Sequence, residues 1–313
     1  MGRGSGFGKT ILFGEHFVVH GVPGIASAVD SAAVATVKKA AGGINVTDER
    51  SGAKGYAEKK KLQQIESIER MLKAMDMDLK TGMDIWLGGN LPGFSGLGAS
   101  AASSVAIARA IAKEFGLDLS DEQINDVAYE AEKAYAGNPS GIDNTAATFG
   151  GLIWFKKNLA DGTNTIKQLS IREPVEIVIG NTGIVANTKA MVEGVAERKK
   201  QNPKTYDAIF KQAEELAVKG RKALEAFDLK QVGELMNENH RLLQQIEVSC
   251  KELDMLVELA RKEGAFGAKM TGGGGGGCML ALTPGERLQQ KVASAIEGKG
   301  FEVLRTKIGI QKV

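Results

Sequence analysis

A glycine-rich turn that leads into an alanine-rich helix is the segment of this chain best suited to chemistry. It covers residues 91–102 and contains Gly93, Gly96 and Gly98, followed by Ser100. Glycines permit positive φ angles and close approach of a ligand, and a helix start offers N–H donors and a positive dipole end. The segment predicts a phosphate-binding loop in which the Ser100 hydroxyl reaches a phosphate oxygen or a Mg²⁺ ion. Taken alone, it is equally compatible with an ordinary turn capped by Ser100.

A second segment, residues 8–21, places ionisable groups around an apolar stretch. It contains Lys9, Glu15, His16 and His20. Each side chain has an ordinary alternative, as a surface charge, a turn carboxylate or a half-buried imidazole. Their joint occurrence with a phosphate loop favours a catalytic or binding role.

The third segment is a run of six glycines, residues 272–277, between Lys269-Met-Thr271 and an apolar stretch over 278–282. Glycine costs roughly 0.5 to 1 kcal/mol relative to alanine inside a regular element. A flexible linker would be polar and serine-containing, whereas this run is followed at once by a strand-like sequence. The pattern predicts backbone that closely approaches a ligand or another loop.

The fourth segment supplies two carboxylates. Apolar spacing predicts a helix over residues 121–136, which the glycines and proline of residues 137–141 end. Glu132 lies near the end of that helix and Asp143 follows the turn. The alternative is a solvated Glu132 and an Asp143 that caps the next element.

These four segments, in this order, resemble the GHMP kinases, the superfamily of galactokinase, homoserine kinase, mevalonate kinase and phosphomevalonate kinase. Segments 14–21 and 137–144 are similar to the mevalonate kinase forms of their motifs, whereas galactokinases typically read Gly-Glu-His-x-Asp-Tyr in the first. The superfamily loop Pro-x-x-x-Gly-Leu-Gly-Ser-Ser matches this chain except that Ala99 replaces the first serine. The chain also departs from the superfamily at Phe7-Gly8-Lys9, where Pro-Gly-Lys is usual, and at Gly273, where alanine is usual.

The resemblance implies a role for each motif residue. Asp143 would accept or orient the proton of the substrate hydroxyl, Lys9 would stabilise developing charge, and Ser100 and Glu132 would bind Mg²⁺. The residues implied in ATP binding are Pro92, Gly93, Ser95, Gly96, Leu97, Gly98, Ala99, Ser100 and Ala101. The residues implied in substrate binding are Glu15, His16, Thr182, Gly272 and Gly273.

The implied reaction is ATP-dependent phosphorylation of (R)-mevalonate to 5-phosphomevalonate, a step of isoprenoid biosynthesis. Two alternatives stay open. The first is another kinase of the superfamily, acting on phosphomevalonate, a related acid or a sugar. The second is a non-catalytic nucleotide-binding module, whose expected mark would be the loss of Lys9, Glu132 or Asp143, all of which are present.

Apolar spacing also predicts the elements that position these residues. We expect strands over 10–20, 32–38, 83–87, 152–155, 175–180 and 301–307 and on both sides of the glycine run. We expect helices over 59–75, from the loop to residue 115, and over 121–136, 189–200, 205–227, 231–246, 251–263 and 284–297. Strands and helices that do not alternate strictly favour an α+β fold. The resemblance adds two domains, ribosomal-protein-S5-like over 1–165 and ferredoxin-like over 166–313, with the active cleft between them.

Composition excludes several other classes of protein. The 313 residues carry a net charge of +2, from 40 basic and 38 acidic side chains, which is too small to indicate nucleic-acid binding. The two cysteines, Cys250 and Cys278, argue against a disulfide framework and for a reducing compartment. No signal peptide and no apolar run of about 18 residues is evident. We therefore expect a cytoplasmic homodimeric enzyme with a small-molecule substrate and no nucleic-acid or membrane partner.

Overall fold

The computed structural model describes residues 1–50, 56–93, 96–137, 139–160, 164–185 and 187–311. The strands are β1 (Gly2–Phe13), β2 (Gly24–Lys39), β3 (Ile44–Asp48), β4 (Met83–Gly89), β5 (Leu152–Lys156), β6 (Thr165–Leu169), β7 (Val175–Asn181), β8 (Gly267–Thr271), β9 (Cys278–Leu282) and β10 (Glu302–Ile308). The helices are α1 (Tyr56–Ala74), α2 (Ala99–Phe115), α3 (Asp121–Ala136), α4 (Ile142–Phe149), α5 (Thr188–Gln201), α6 (Pro203–Glu225), α7 (Leu229–Gln245), α8 (Lys251–Lys262) and α9 (Glu286–Glu297).

The chain forms two compact units, each built from more than one segment. The first contains residues 1–9 and 28–150 together with Gln311, and the second contains residues 10–27 and 151–310. Both combine helices and strands, so the predicted α+β class is confirmed. The division of the family domains at residue 165 stays a prediction.

In the first unit, β4 lies between two partners. It pairs in parallel with β3 and antiparallel with residues 33–39 of β2. Among the helices of this unit, α2 contacts α3 and α4, and α3 contacts α1 and α4. The helices that hold Ser100, Glu132 and Asp143 therefore lie against one another.

The glycine-rich start of the chain is a packing surface. Alternate glycines of β1, at positions 2, 4 and 6, lie directly on α2. A Cβ atom at these positions would fall 2.1, 2.4 and 2.3 Å from the carbonyl oxygens of Ala110, Ala106 and Ala102, respectively. Two residues of strand span about 6.6 Å and four residues of helix span about 6 Å. Every second residue of β1 therefore lies opposite every fourth residue of α2.

The second unit contains an antiparallel sheet in the order β10-β7-β9-β8. Its core joins β7–β9 to α5–α9 and includes Phe210, Leu243, Leu256, Met270 and Ile296. Residues 24–27 of β2 pair with β5, which pairs with β6. In the described part of the chain, no helix has the length and apolar character needed to cross a membrane.

The structure differs from the predicted elements mainly at the first two strands, and β2 begins at Gly24 rather than at residue 32. The strand predicted over 10–20 is wrong beyond Phe13, because Gly14 and His16 adopt positive φ angles and Phe17–His20 forms a 3-10 helix. The strand also begins earlier, at Gly2, where the alternating glycines carry no hydrophobic signal. The elements β3, β6 and α4 are short, and apolar spacing did not predict them.

Candidate active site

Gly96 and Gly98, two of the three glycines of the phosphate loop, have the positive φ angles that the sequence predicts. Gly96 and Gly98 adopt φ angles of 96° and 65°, and Gly98 is the N-cap residue of α2. No side chain among the described residues caps this helix, which favours an exogenous acceptor for its first N–H groups. Leu97 and Ala101 are fully buried, and their predicted role in ATP binding stays a prediction. Ser95 lies outside the described residues.

Lys9 is built into the same loop. Its backbone N–H donates to the Leu97 carbonyl at 2.9 Å, and its side chain passes beside Gly98. A Cβ atom on Gly98 would lie 2.7 Å from Lys9 Cγ. Glycine at position 98 therefore serves the turn and also leaves room for the lysine.

Glu132 is a buried carboxylate between α2 and α3, so the solvated alternative is excluded. Ser100 Oγ donates to Glu132 Oε2 at 3.2 Å, and Ser104 Oγ donates to Oε1 at 3.5 Å. Burial, reinforced by the charge of Asp143, raises the pKa of Glu132 to about 8. Ser104 was not predicted, although its spacing of four residues from Ser100 places both hydroxyls on one helix face.

Asp143 lies in the first turn of α4 and faces Lys9. The Lys9 Nζ atom is 3.1 Å from Asp143 Oδ1, with the Lys9 side chain buried and the Asp143 side chain 36% exposed. The N-cap residue of α4 is Gly141, so Asp143 is not the cap that the alternative interpretation required. The first unit thus brings together Lys9, Ser100, Glu132 and Asp143, which are far apart in sequence.

Glu15 has a different environment from the one expected. Its carboxylate is fully buried and forms an ion pair with Lys269, which is also fully buried. Asn239 Nδ2 donates to Glu15 Oε2 at 3.4 Å, and Lys269 Nζ also donates to the Met270 carbonyl at 2.7 Å. Glu15 therefore holds its turn to β8, and its contact with the substrate stays a prediction. Lys269 was not singled out, although a lysine in an apolar strand before the glycine run was a usable signal.

His16 joins that same turn to the glycine run. His16 Nε2 lies 2.9 Å from the Gly273 carbonyl oxygen, an acceptor, so we assign the ring hydrogen to Nε2. His16 Nδ1 is then an acceptor, and it is buried with no hydrogen-bond partner in the described part of the chain. Burial lowers the pKa of His16 to about 4, so the ring is neutral near pH 7.

The glycine run packs against neighbouring loops of the second unit. A Cβ atom on Gly273 would lie 2.3 Å from Thr188 Oγ1, and one on Gly274 would lie 2.1 Å from the Val248 carbonyl oxygen. Gly272 has a φ of 85°, which favours glycine there as well. Thr182 Oγ1 donates to the Gly277 carbonyl at 2.8 Å, so this hydroxyl supports the end of the run. Contact with another loop therefore accounts for part of the run.

Comparisons with known proteins agree with these motifs. The family models described as "GHMP kinases N terminal domain" and "GHMP kinases C terminal" match residues 65–151 and 221–302. The mevalonate kinase of Pyrococcus horikoshii is 35% identical, with 96% of this chain and 93% of that protein covered. The mevalonate kinase of Methanothermobacter thermautotrophicus is 34% identical, with 88% of each chain covered.

Solved structures give the same result. The crystal structure of L. major mevalonate kinase in complex with R-mevalonate has a TM-score of 0.93 and 35% identity, covering 100% of this chain and 97% of that one. Galactokinase from Lactococcus lactis, at 20% identity and a TM-score of 0.70, shares the fold. The chain therefore belongs to the GHMP kinase family and is a kinase, an enzyme that takes its phosphoryl group from ATP.

Proposed function

We propose that this enzyme phosphorylates (R)-mevalonate to 5-phosphomevalonate, a step in isoprenoid biosynthesis. The identity of 35% to a mevalonate kinase over 96% of the chain supports this acceptor. The observation that carries the chemistry is the Lys9–Asp143 pair, at 3.1 Å, next to the phosphate loop.

Phosphoryl transfer from ATP requires positioning and charge stabilisation more than covalent chemistry. In the proposed reaction the partly exposed Asp143 carboxylate accepts or orients the proton of the substrate hydroxyl. The buried Lys9 ammonium stabilises negative charge that develops on the transferred group. The backbone N–H groups of the loop and the start of α2 bind the phosphates of ATP, along the residues from Pro92 to Ala101.

Ser100 and Glu132 would hold Mg²⁺. The site fits the ion, because the Glu132 carboxyl group and the Ser100 hydroxyl, 3.2 Å apart, are hard oxygen ligands, and Mg²⁺ on binding would displace the proton that the buried Glu132 holds. Among the described residues, no group of three or more His, Cys, Asp or Glu side chains could hold a metal ion. When bound, the ion neutralises phosphate charge and orients the phosphoryl group.

On the substrate side, the proposed contacts are His16 and the backbone of Gly272 and Gly273. The buried Nδ1 of His16, for which the described residues provide no hydrogen-bond partner, supports this role, because it offers an acceptor to a substrate hydroxyl. Thr182 would act through the end of the glycine run.

An acceptor panel tests the proposal. Purified enzyme with MgATP is given mevalonate, phosphomevalonate, homoserine or galactose, and ADP formation is measured with a coupled assay. We expect ADP formation with mevalonate to exceed that with every other acceptor by more than about 100-fold, because the other acceptors leave polar groups of the site unpaired. A higher rate with any other acceptor would identify that acceptor as the substrate instead. Light scattering on the same preparation tests the expected homodimer.

A further inference from the structure

Arg109 joins all four elements that carry the candidate catalytic groups. It lies on α2, and its guanidinium donates from Nη1 to the Ser5 carbonyl of β1 at 2.7 Å. Nη2 donates to Asp121 Oδ1, in the first turn of α3, at 2.7 Å, and to the Thr148 carbonyl of α4 at 2.8 Å. The Arg109 side chain is only 14% exposed.

Each of those elements also holds one proposed catalytic or metal-binding group. Lys9 lies on β1, Ser100 on α2, Glu132 on α3 and Asp143 on α4. All of these residues belong to the first compact unit. In α3 and α4, Arg109 contacts Asp121 and Thr148, which lie at the ends of these helices opposite to Glu132 and Asp143.

We propose that Arg109 is a positioning residue for phosphoryl transfer, because it fixes the relative placement of β1, α2, α3 and α4 and hence of Lys9, Ser100, Glu132 and Asp143. This inference rests on the proposed kinase reaction. It assigns a function to a residue that lies outside the sequence motifs.

Because β1 and α3 are regular elements, a change at the Arg109 contacts shifts the catalytic groups farther along them. The distance along β1 from Ser5 to Lys9 is about 13 Å, and the distance along α3 from Asp121 to Glu132 is about 16 Å. Regular elements transmit a change of orientation over such lengths. A misplacement of about 1 Å at reacting groups can cost about 100-fold in rate.

A second contact, between Asn144 and Asn125, acts together with the hydrogen bonds of Arg109. Asn144 Nδ2 donates to Asn125 Oδ1 at 2.8 Å and so ties the start of α4 to α3 next to Asp143. Arg109 ties the last turn of α4 to the start of α3. Together the two contacts hold the start and the last turn of α4 against its neighbours and so fix its direction.

The three acceptors, the Ser5 and Thr148 carbonyls and the Asp121 carboxylate, require the planar guanidinium of an arginine. A guanidinium carries five N–H donors in a rigid fork, which meets two backbone carbonyls and a carboxylate at once. Lysine keeps the positive charge but lacks the planar set of N–H donors, so Arg109→Lys separates the effect of the charge from that of the hydrogen bonds. Arg109→Met keeps much of the packing and removes the donors.

The test compares these two variants with Arg305→Met, which removes another forked pair, Arg305 with Glu297 on β10 and α9. We expect Arg109→Met to lower kcat by about 10- to 100-fold with little change in the KM values for MgATP and mevalonate. Arg109→Lys should fall in between, and Arg305→Met should keep kcat within about twofold. Unchanged kcat in both Arg109 variants, or a loss confined to thermal stability or to KM, would overturn the inference. If Arg109→Met does not fold, Arg109→Lys decides the question by the same criteria.

A groove of about 640 Å³ allows a further check. It is lined by Arg3, Ser5, Arg109, Lys113 and Asp121, among others, so a small cation can reach the position of the lost guanidinium. Millimolar guanidinium chloride should partly restore kcat in Arg109→Ala and leave Arg305→Met unchanged, with sodium chloride as the control. Equal responses of the two variants would count against a positioning role.

The crystal structure of Arg109→Met separates failure of this inference from failure of the proposed reaction, because it needs no substrate. If Arg109 fixes the placement of the four elements, the Lys9 Nζ–Asp143 Oδ1 distance of 3.1 Å and the Ser100–Glu132 hydrogen bond should both change in the variant. Unchanged distances would refute the positioning role, whereas a wild-type enzyme inactive on mevalonate would refute only the proposed reaction.

Discussion

The Lys9 ammonium lies 3.1 Å from the Asp143 carboxylate, although 133 positions separate the two residues in the sequence. The lysine is buried beside the phosphate loop, and the carboxylate is about one-third exposed at the first turn of α4. This arrangement leaves the carboxylate that we propose as the base accessible, while the Lys9 ammonium stays protected from solvent. The pair is therefore the best target for separating catalysis from binding.

Replacing Asp143 should abolish turnover without abolishing ATP binding. We expect Asp143→Ala to lower kcat by about 10²- to 10⁴-fold, because it removes the group that accepts or orients the hydroxyl proton. ATP affinity, measured by calorimetry, should persist because the phosphate loop is untouched. Asp207→Asn, which affects a surface pair with Lys199, is the control and should keep wild-type activity. Near-normal turnover of Asp143→Ala would remove Asp143 from the chemistry.

Replacing Ser100 should weaken the binding of Mg²⁺ and MgATP more than that of the acceptor. Ser100→Ala removes one proposed ligand and one hydrogen bond to Glu132. We expect the Mg²⁺ concentration for half-maximal activity to rise about 10-fold, as for loss of one metal-supporting interaction, with the mevalonate KM little changed. Ser294→Ala, on α9, is the matched control. An equal or larger effect on the acceptor would argue against a metal role for Ser100.

The raised pKa of Glu132 predicts two pH effects. The folded protein keeps a proton on Glu132 up to about pH 8, whereas the unfolded chain loses it near 4.5. Folded protein therefore binds more protons between these values, so its free energy of unfolding falls as pH rises through this window. Mg²⁺ competes with the same proton, so its affinity should rise up to about pH 8 and then level off.

Glu132→Gln is the control for both effects. Its glutamine cannot titrate, so the pH dependence of unfolding, measured with urea in metal-free buffer, should become flatter over the window. A wild-type stability that rises from pH 5 to pH 8 in step with this group would contradict the predicted sign.

Much of the site was predictable because its residues follow local patterns. The helix that carries Glu132 begins and ends at the predicted residues, since apolar spacing and the following glycine mark both ends. By contrast, Arg109, Asn125 and Lys269 act through partners far away in sequence, which no local pattern reveals. Glu15 shows the same limit, because its residue type alone does not tell a substrate contact from a buried ion pair.

The alternating glycines of β1, at positions 2, 4 and 6, should not tolerate replacement even by alanine. Gly4→Ala places a methyl group 2.4 Å from the Ala106 carbonyl oxygen, so strand and helix must separate. We expect a loss of about 1–3 kcal/mol in the free energy of unfolding, as for other overpacked sites. Gly88→Ala, on β4, meets nothing within 4 Å and should leave the stability nearly unchanged. Equal stability of the two variants would show that β1 does not need the close approach.

The last prediction concerns the buried pair of Glu15 and Lys269. Removing one partner leaves the other charge buried without its countercharge, so Glu15→Gln and Lys269→Met should each cost about 3–5 kcal/mol of unfolding free energy. The double variant removes both charges and should recover a large part of this loss. Glu214→Gln, which breaks the exposed pair with Lys156, should cost less than about 1 kcal/mol.

Kinetics of the same variants test whether Glu15 contacts the substrate. If Glu15 holds its turn to β8 rather than contacting the substrate, recovery of stability in the double variant should be accompanied by recovery of the mevalonate KM. If the double variant regains stability while its KM stays as high as in Glu15→Gln, the carboxylate itself contacts the substrate. The comparison decides between the two roles because His16, the next residue, reaches the glycine run through its own bond to Gly273.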